Sequence, residues 1–161
     1  MRKTYVYALD LSLNSTGVCL FTNDGLFVKA LTIDTHGEKE TPLKLNIIGT
    51  EFLKLIEKYT PSTVVIEQGF SLFNASTQAL FRVHGLVNYL FAHYEQIYYP
   101  ASTVKKVIGG KGNMAKEDLR DVIYKKYPDI KFKTLDESDA FSVGITYFKK
   151  KGILKWEINS N

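Results

Sequence analysis

The chain has 161 residues, a formal net charge of +4 and a single cysteine. That length suits one domain over residues 1–161 and leaves no room for two of ordinary size. The lone thiol, Cys19, excludes an internal disulfide framework and a cysteine-based zinc site. A 45% hydrophobic fraction is that of a chain with a packed core. There is no apolar run of about 18 residues, the least that spans a bilayer. The opening MRKTYVYALDLS reads as a strand and not as a secretory signal. A soluble cytoplasmic protein with no membrane partner is therefore expected.

The elements follow in order. Tyr5-Val6-Tyr7-Ala8-Leu9 is almost continuously apolar, the pattern of a central strand buried on both faces, and it ends at Asp10. A short polar turn containing Gly17 leads to a second strand, Val18–Phe21. Asn23-Asp24-Gly25 is a hairpin signal, and a third strand runs from Leu26 to about Ile33. From Pro42 the apolar spacing turns helical through Leu45, Ile48, Phe52, Leu55, Ile56 and Tyr59, and Pro61 ends that region. Thr63–Ile66 is another buried-type strand, closed by Glu67. A helix is predicted from about Phe73 to Tyr94, a short strand over Gln96–Tyr99, and one or two helical turns over Ser102–Val107. A Gly-rich basic loop, Ile108–Ala115, precedes a helix over Lys116–Tyr127 and a last helix from Asp136 to about Lys150. There is no repeat and no linker. The order predicts an α/β fold: a mixed sheet, begun by an antiparallel meander, with helices on its faces.

Two carboxylates, Asp10 and Glu67, close predicted strands, where open α/β sheets gather their ligand chemistry. Two more, Asp136 and Asp139, lie three apart in DESDAFSVG, a spacing that puts both on one helix face. Each has a plain structural explanation: a turn aspartate, a solvated strand end, acids answering a helix dipole. Their joint occurrence is harder to explain that way. Four carboxylates meeting at one place repel and need cations, and oxygen-only ligation suits Mg²⁺ or Mn²⁺. Two such ions roughly 3.5–4 Å apart are the arrangement that serves in-line phosphoryl displacement.

The segments ALDLSLNSTGV, VVIEQGF, VKKVIGGKGNMAKEDL and DESDAFSVGI together resemble the RuvC Holliday-junction resolvases of the RNase H-like superfamily. The resemblance runs from about residue 4 to residue 148, with four motifs in the family order. It implies a five-stranded mixed sheet, with a β1-β2-β3 antiparallel meander plus parallel strands, flanked by helices. It implies that Asp10, Glu67, Asp136 and Asp139 bind two Mg²⁺ ions, with Mn²⁺ able to substitute. The implied activity is a structure-specific endonuclease acting on four-way junctions in recombination and repair, by paired nicks leaving 5′-phosphate and 3′-hydroxyl ends. The implied working form is a homodimer. Lys105 and Lys116 match basic residues near the scissile phosphate, Lys116 with a catalytic role, and Phe70 matches an aromatic that meets the junction centre. The stretch SLFNASTQALF after Phe70 departs from the bacterial pattern, and the GGKG loop is more basic. These departures leave room for a phage-type member acting on forks or flaps as well.

Residues 101–133 carry nine basic side chains against four acidic ones, a net +5 that exceeds the whole chain's +4. Lys105, Lys106, Lys111, Lys116 and Arg120 are the candidate DNA contacts there, with the Gly109–Gly112 loop able to bring backbone amides close to phosphates. A solvated helix face is the plainer reading of such a run. Two other functions fit parts of the pattern. One is a catalytically idle branched-DNA-binding module of the same fold. The other is an actin-like ATPase domain, whose first phosphate loop also follows a strand aspartate, though that architecture needs two such domains. His84 on an apolar stripe and Cys19 in a strand read as structural.

Overall fold

A computed structural model describes residues 3–69 and 75–154. Three strands open the chain: β1 (Tyr5–Asp10), β2 (Ser15–Thr22) and β3 (Phe27–Asp34). Helix α1 (Thr41–Lys58), strand β4 (Pro61–Glu67), helix α2 (Ala75–Leu90) and strand β5 (Glu95–Tyr99) follow. Three helices close the described chain: α3 (Ala101–Gly109), α4 (Lys116–Lys126) and α5 (Leu135–Lys150). The five strands form one sheet in the order β3-β2-β1-β4-β5. β1, β2 and β3 pair antiparallel, while β1 with β4 and β4 with β5 pair parallel. The predicted mixed sheet and meander are both present.

The alternation of side chains along β1 divides the core between the two faces of the sheet. Val6 and Ala8 pack with Phe21, Val65, Val104, Ile123 and Phe141 under α3, α4 and α5. Tyr7 and Leu9 pack with Leu20, Val64, Ile66, Phe52 and Phe91 under α1 and α2. β1 and β4 are therefore buried on both faces, which is why their sequences read as unbroken apolar runs. Helix α5 is buried from Glu137 to Phe148, an unusual stretch for a surface layer. It lies against β2 so closely that a Cβ on Gly144 would sit 2.3 Å from Cε2 of Phe21, and one on Gly17 would sit 2.0 Å from the Asp136 carbonyl oxygen.

Some boundaries differ from expectation. Pro61 opens β4 instead of merely ending α1, which fits the ban on proline inside a ladder and its tolerance at a strand's first residue. The turns expected over Ser102–Val107 are a full helix, and two residues assigned to the Gly-rich loop, Ile108 and Gly109, belong to it. Ile108 is fully buried and anchors the last turn. Gly110, with φ 85°, is the true terminator, its N–H returning to the Lys106 carbonyl at 2.9 Å. Helix α2 ends at Leu90, and the turn after it is closed by hydrogen bonds such as Tyr94 N–H to the Phe91 carbonyl at 3.0 Å.

Candidate active site

Asp10 is the last residue of β1 and Glu67 the last of β4, and these strands are parallel neighbours whose register pairs Leu9 with Ile66. The two carboxylates thus leave the sheet side by side at its carboxyl end. Asp136 and Asp139 come from the first two turns of α5, whose start is fixed by a cap. Thr134 accepts the Glu137 N–H at 3.2 Å, and the Glu137 carboxylate accepts the Lys133 N–H at 2.8 Å. The Gly17 contact then brings this helix end onto β2, opposite Asp10, whose register partner is Gly17. As a result one oxygen from each of Asp10, Asp136 and Asp139 lies within 4.8 Å of the others. All three donors are hard oxygens, the set that suits a small divalent cation.

Glu67 borders the same centre from its other side. It lines a cavity of about 120 Å³ with Lys105, Lys116, Leu119, Asp139 and Ser142. Lys105 and Ala101 continue into a second groove of about 460 Å³ bounded by Gln68, Gly69, Ser102 and Gly112. Glu67 and Asp139 therefore sit at the head of a trough that runs along α3 to the Gly-rich loop. Lys105 stands in both walls, while Lys106 and Lys111 are exposed nearby. Phe70 lies outside the described residues.

Two cations enter the acidic centre from α4. The Lys116 ammonium is 2.8 Å from Oδ2 of Asp139 and 3.9 Å from Oδ2 of Asp10. Arg120, one turn later, donates to both oxygens of Asp139, Nε to Oδ1 at 3.0 Å and Nη2 to Oδ2 at 2.8 Å. Arg120, expected at the DNA surface, thus has its fork turned inward. Ser15 on β2 donates to Oδ2 of Asp136 at 2.6 Å. Nothing in the local sequence announces the Ser15 contact, which joins residues 121 positions apart. The Thr-Leu-Asp-Glu cap at the start of α5, by contrast, is a readable signature.

The electrostatics show the cost of the cluster. Burial, aided by Glu67, Asp139 and Asp136 and opposed by Lys116, pushes the Asp10 carboxyl up to about 7. Burial also raises Glu67, with Asp139 adding to it and Lys116 and Lys105 opposing. For Lys116, burial works against the charge, but Asp10, Asp139 and Glu67 outweigh it and hold the ammonium above its usual range. An Asp whose folded pKa exceeds its unfolded one binds its proton more tightly in the fold. Without metal, the fold is therefore most stable below the ordinary Asp range and loses that stability as pH rises from there through about 7, where Asp10 ionises. Asp10→Asn is accordingly expected to raise the melting temperature of the metal-free protein at pH 8, by roughly 3–6 °C if ~1–2 kcal/mol of the cost of the buried charge and its repulsion is relieved. The gain should shrink as the pH is lowered through 7 toward 5. Thermal melts in EDTA across that range measure it. A variant no more stable than the wild type at pH 8 would contradict the assigned cost of the buried Asp10 charge.

A mixed five-stranded sheet of this order, flanked by helices, is the RNase H-like fold. The chain belongs within that class to the RuvC family, since the family model described as "Crossover junction endodeoxyribonuclease RuvC" matches residues 6–147. It is 31% identical over 149 residues to the crossover junction endodeoxyribonuclease RuvC of Rickettsia typhi, covering 88% of this chain and 94% of the relative. To the enzyme of the same name from Gluconobacter oxydans it is 28% identical over 145 residues, 86% of each chain. Its fold matches T. thermophilus RuvC in complex with a Holliday junction substrate, with a TM-score of 0.77 at 17% identity over 94% of this chain and 98% of the other. The family is one of structure-specific DNA endonucleases.

Proposed function

We propose that this chain is a divalent-metal-dependent endonuclease, one nuclease domain over residues 1–161. On this reading it cuts four-way DNA junctions by paired nicks that leave 5′-phosphate and 3′-hydroxyl ends. The observation that carries the reading is the convergence of Asp10, Asp136 and Asp139, with Asp139 and Glu67 opening onto a trough walled by Lys105 and Lys116. Asp10, Glu67, Asp136 and Asp139 would hold two Mg²⁺ ions, which when bound supply activation of water and charge stabilisation at the leaving oxygen.

The chain's own residues do the rest. Lys116 remains charged and stands beside the carboxylates, placed to neutralise charge gathering on the scissile phosphate. Lys105 lines the trough, and Lys106 and Lys111 offer phosphate contacts along its outer edge. Phe70 follows Glu67 by three residues in the sequence and is assigned to the junction centre. The four acids contribute −4 to a total of +4, so the remainder of the protein carries +8, a balance that suits a polyanionic substrate. The described residues of each chain form one such centre, so symmetric paired nicks call for a homodimer. Such a protein would act in the cytoplasm of a bacterial cell, whether its own or a phage host's.

Incubation of the protein with an end-labelled four-way junction, in Mg²⁺ and in EDTA, tests the reading. Paired nicks in Mg²⁺ and none in EDTA are expected, with forks, flaps and linear duplex in parallel lanes setting the substrate range. Tight junction binding with no cleavage under either condition would make the chain a DNA-binding module instead.

A further inference from the structure

Asp139 is the most heavily engaged carboxylate of the centre. Its side chain is only 3% exposed, and both of its oxygens accept from Arg120, with Lys116 adding a third contact to Oδ2. The fork-on-fork geometry places the two guanidinium N–H groups over both oxygens at once. Arg120 is itself largely covered, at 16% side-chain exposure, so water screens the pair little. Its guanidinium is held above its ordinary range first by the hydrogen bonds to Asp139, with Glu117 and Asp136 adding to the attraction.

A cation added at Asp139 meets this arrangement in two ways. It competes with Arg120 for oxygen lone pairs, and it is repelled by a fixed positive charge a few ångströms away. Resting on the proposal that the acidic centre takes divalent ions, we infer that Arg120 is a resident counter-cation for Asp139. It positions the carboxylate in the absence of an ion and yields at least one oxygen as ions load, so it sets the metal concentration at which the site fills. Glu117, three residues earlier on the same helix, is a ready alternative partner for the displaced guanidinium.

Metal binding measured without DNA tests this directly. Mn²⁺ is titrated into the intact protein and followed by calorimetry and by the electron paramagnetic resonance signal of the free ion. Arg120→Gln removes the charge while keeping a side chain of similar reach, and Lys116 still holds Asp139 in place. This variant should bind Mn²⁺ roughly five- to tenfold more tightly than the wild type. Arg120→Lys keeps the charge but loses the fork, so its affinity should lie between the two. It also serves if the glutamine variant does not fold. Equal or weaker Mn²⁺ binding by either variant would make Arg120 a structural clamp only and overturn the inference. Asp10→Asn separates the two layers of the argument. If the wild type binds no more Mn²⁺ than Asp10→Asn, the metal reading fails and this inference falls with it. If the wild type binds and the Arg120 variants bind no better, only the counter-cation role is lost.

Discussion

Asp10→Asn is expected to reduce Mg²⁺-dependent junction cleavage by at least about 100-fold, because loss of outer partners of metal ligands alone costs roughly 10–100-fold and Asp10 belongs to the proposed ligand set itself. Glu67→Gln should fall in the same range, since Glu67 borders the same cavity from β4. Both changes are nearly isosteric, so the fold should survive them. Junction binding should survive as well. In EDTA, each variant removes one negative charge from a centre that faces a polyanion, so affinity should stay within a few-fold of the wild type or increase slightly. Single-turnover cleavage and gel-shift titration, run on the same preparations, report the two quantities separately. Cleavage by either variant at the wild-type rate would remove that carboxylate from the proposed centre. Equal loss of binding and cleavage would point to misfolding, and the circular dichroism of the variant distinguishes that case.

How far the sequence alone foretells this arrangement depends on the range of the contacts. The strand-end positions of Asp10 and Glu67 are legible because a buried parallel strand needs an unbroken apolar run, and a charge can appear only where that run stops. Asp136 and Asp139 share a helix face by spacing alone. The partners of these residues are another matter. Ser15 reaches Asp136 across 121 positions and Arg120 reaches Asp139 across 19, through packing of β2 and α4 against α5 that no local pattern encodes. Arg120 reads as one more member of a basic run, and only the three-dimensional structure turns its fork inward. The limits of α3 escape for a different reason. Two glycines and several lysines at its end imitate a loop, while the burial of Ile108 carries the helix on to Gly109. Tertiary packing overrides local propensity there.

Gly17 lets the start of α5 seat directly on β2. Its Cα faces the start of α5 with no space for a side chain. An added Cβ would stand 2.0 Å from the Asp136 carbonyl oxygen and 2.6 Å from its carbonyl carbon. These are backbone atoms at the head of a buried helix, so they cannot swing aside as the end of a flexible side chain would. Gly17→Ala must push α5 outward or spread β2 from it. Overpacking of this kind typically costs ~1–3 kcal/mol, equivalent to a fall of several degrees in Tm for a chain of this length. The effect on catalysis should be larger than the effect on stability. The same displacement carries Asp136 and Asp139 away from Asp10, and a misplacement of about 1 Å in a catalytic constellation can cost on the order of 100-fold. Gly144→Ala is the matched control. Its Cβ would meet Phe21 at 2.3 Å, a comparable clash, but eight residues further along α5. That is about 12 Å from Asp136 and about 7.5 Å from Asp139 at the helical rise, and the clash bears on a side chain instead of on the backbone that carries Asp136. Both variants should melt below the wild type. At a temperature where both are folded, Gly17→Ala should have lost most single-turnover cleavage and its Mn²⁺ affinity, while Gly144→Ala retains both. If Gly17→Ala keeps wild-type cleavage and metal affinity, the close seat of α5 on β2 is not what assembles the centre.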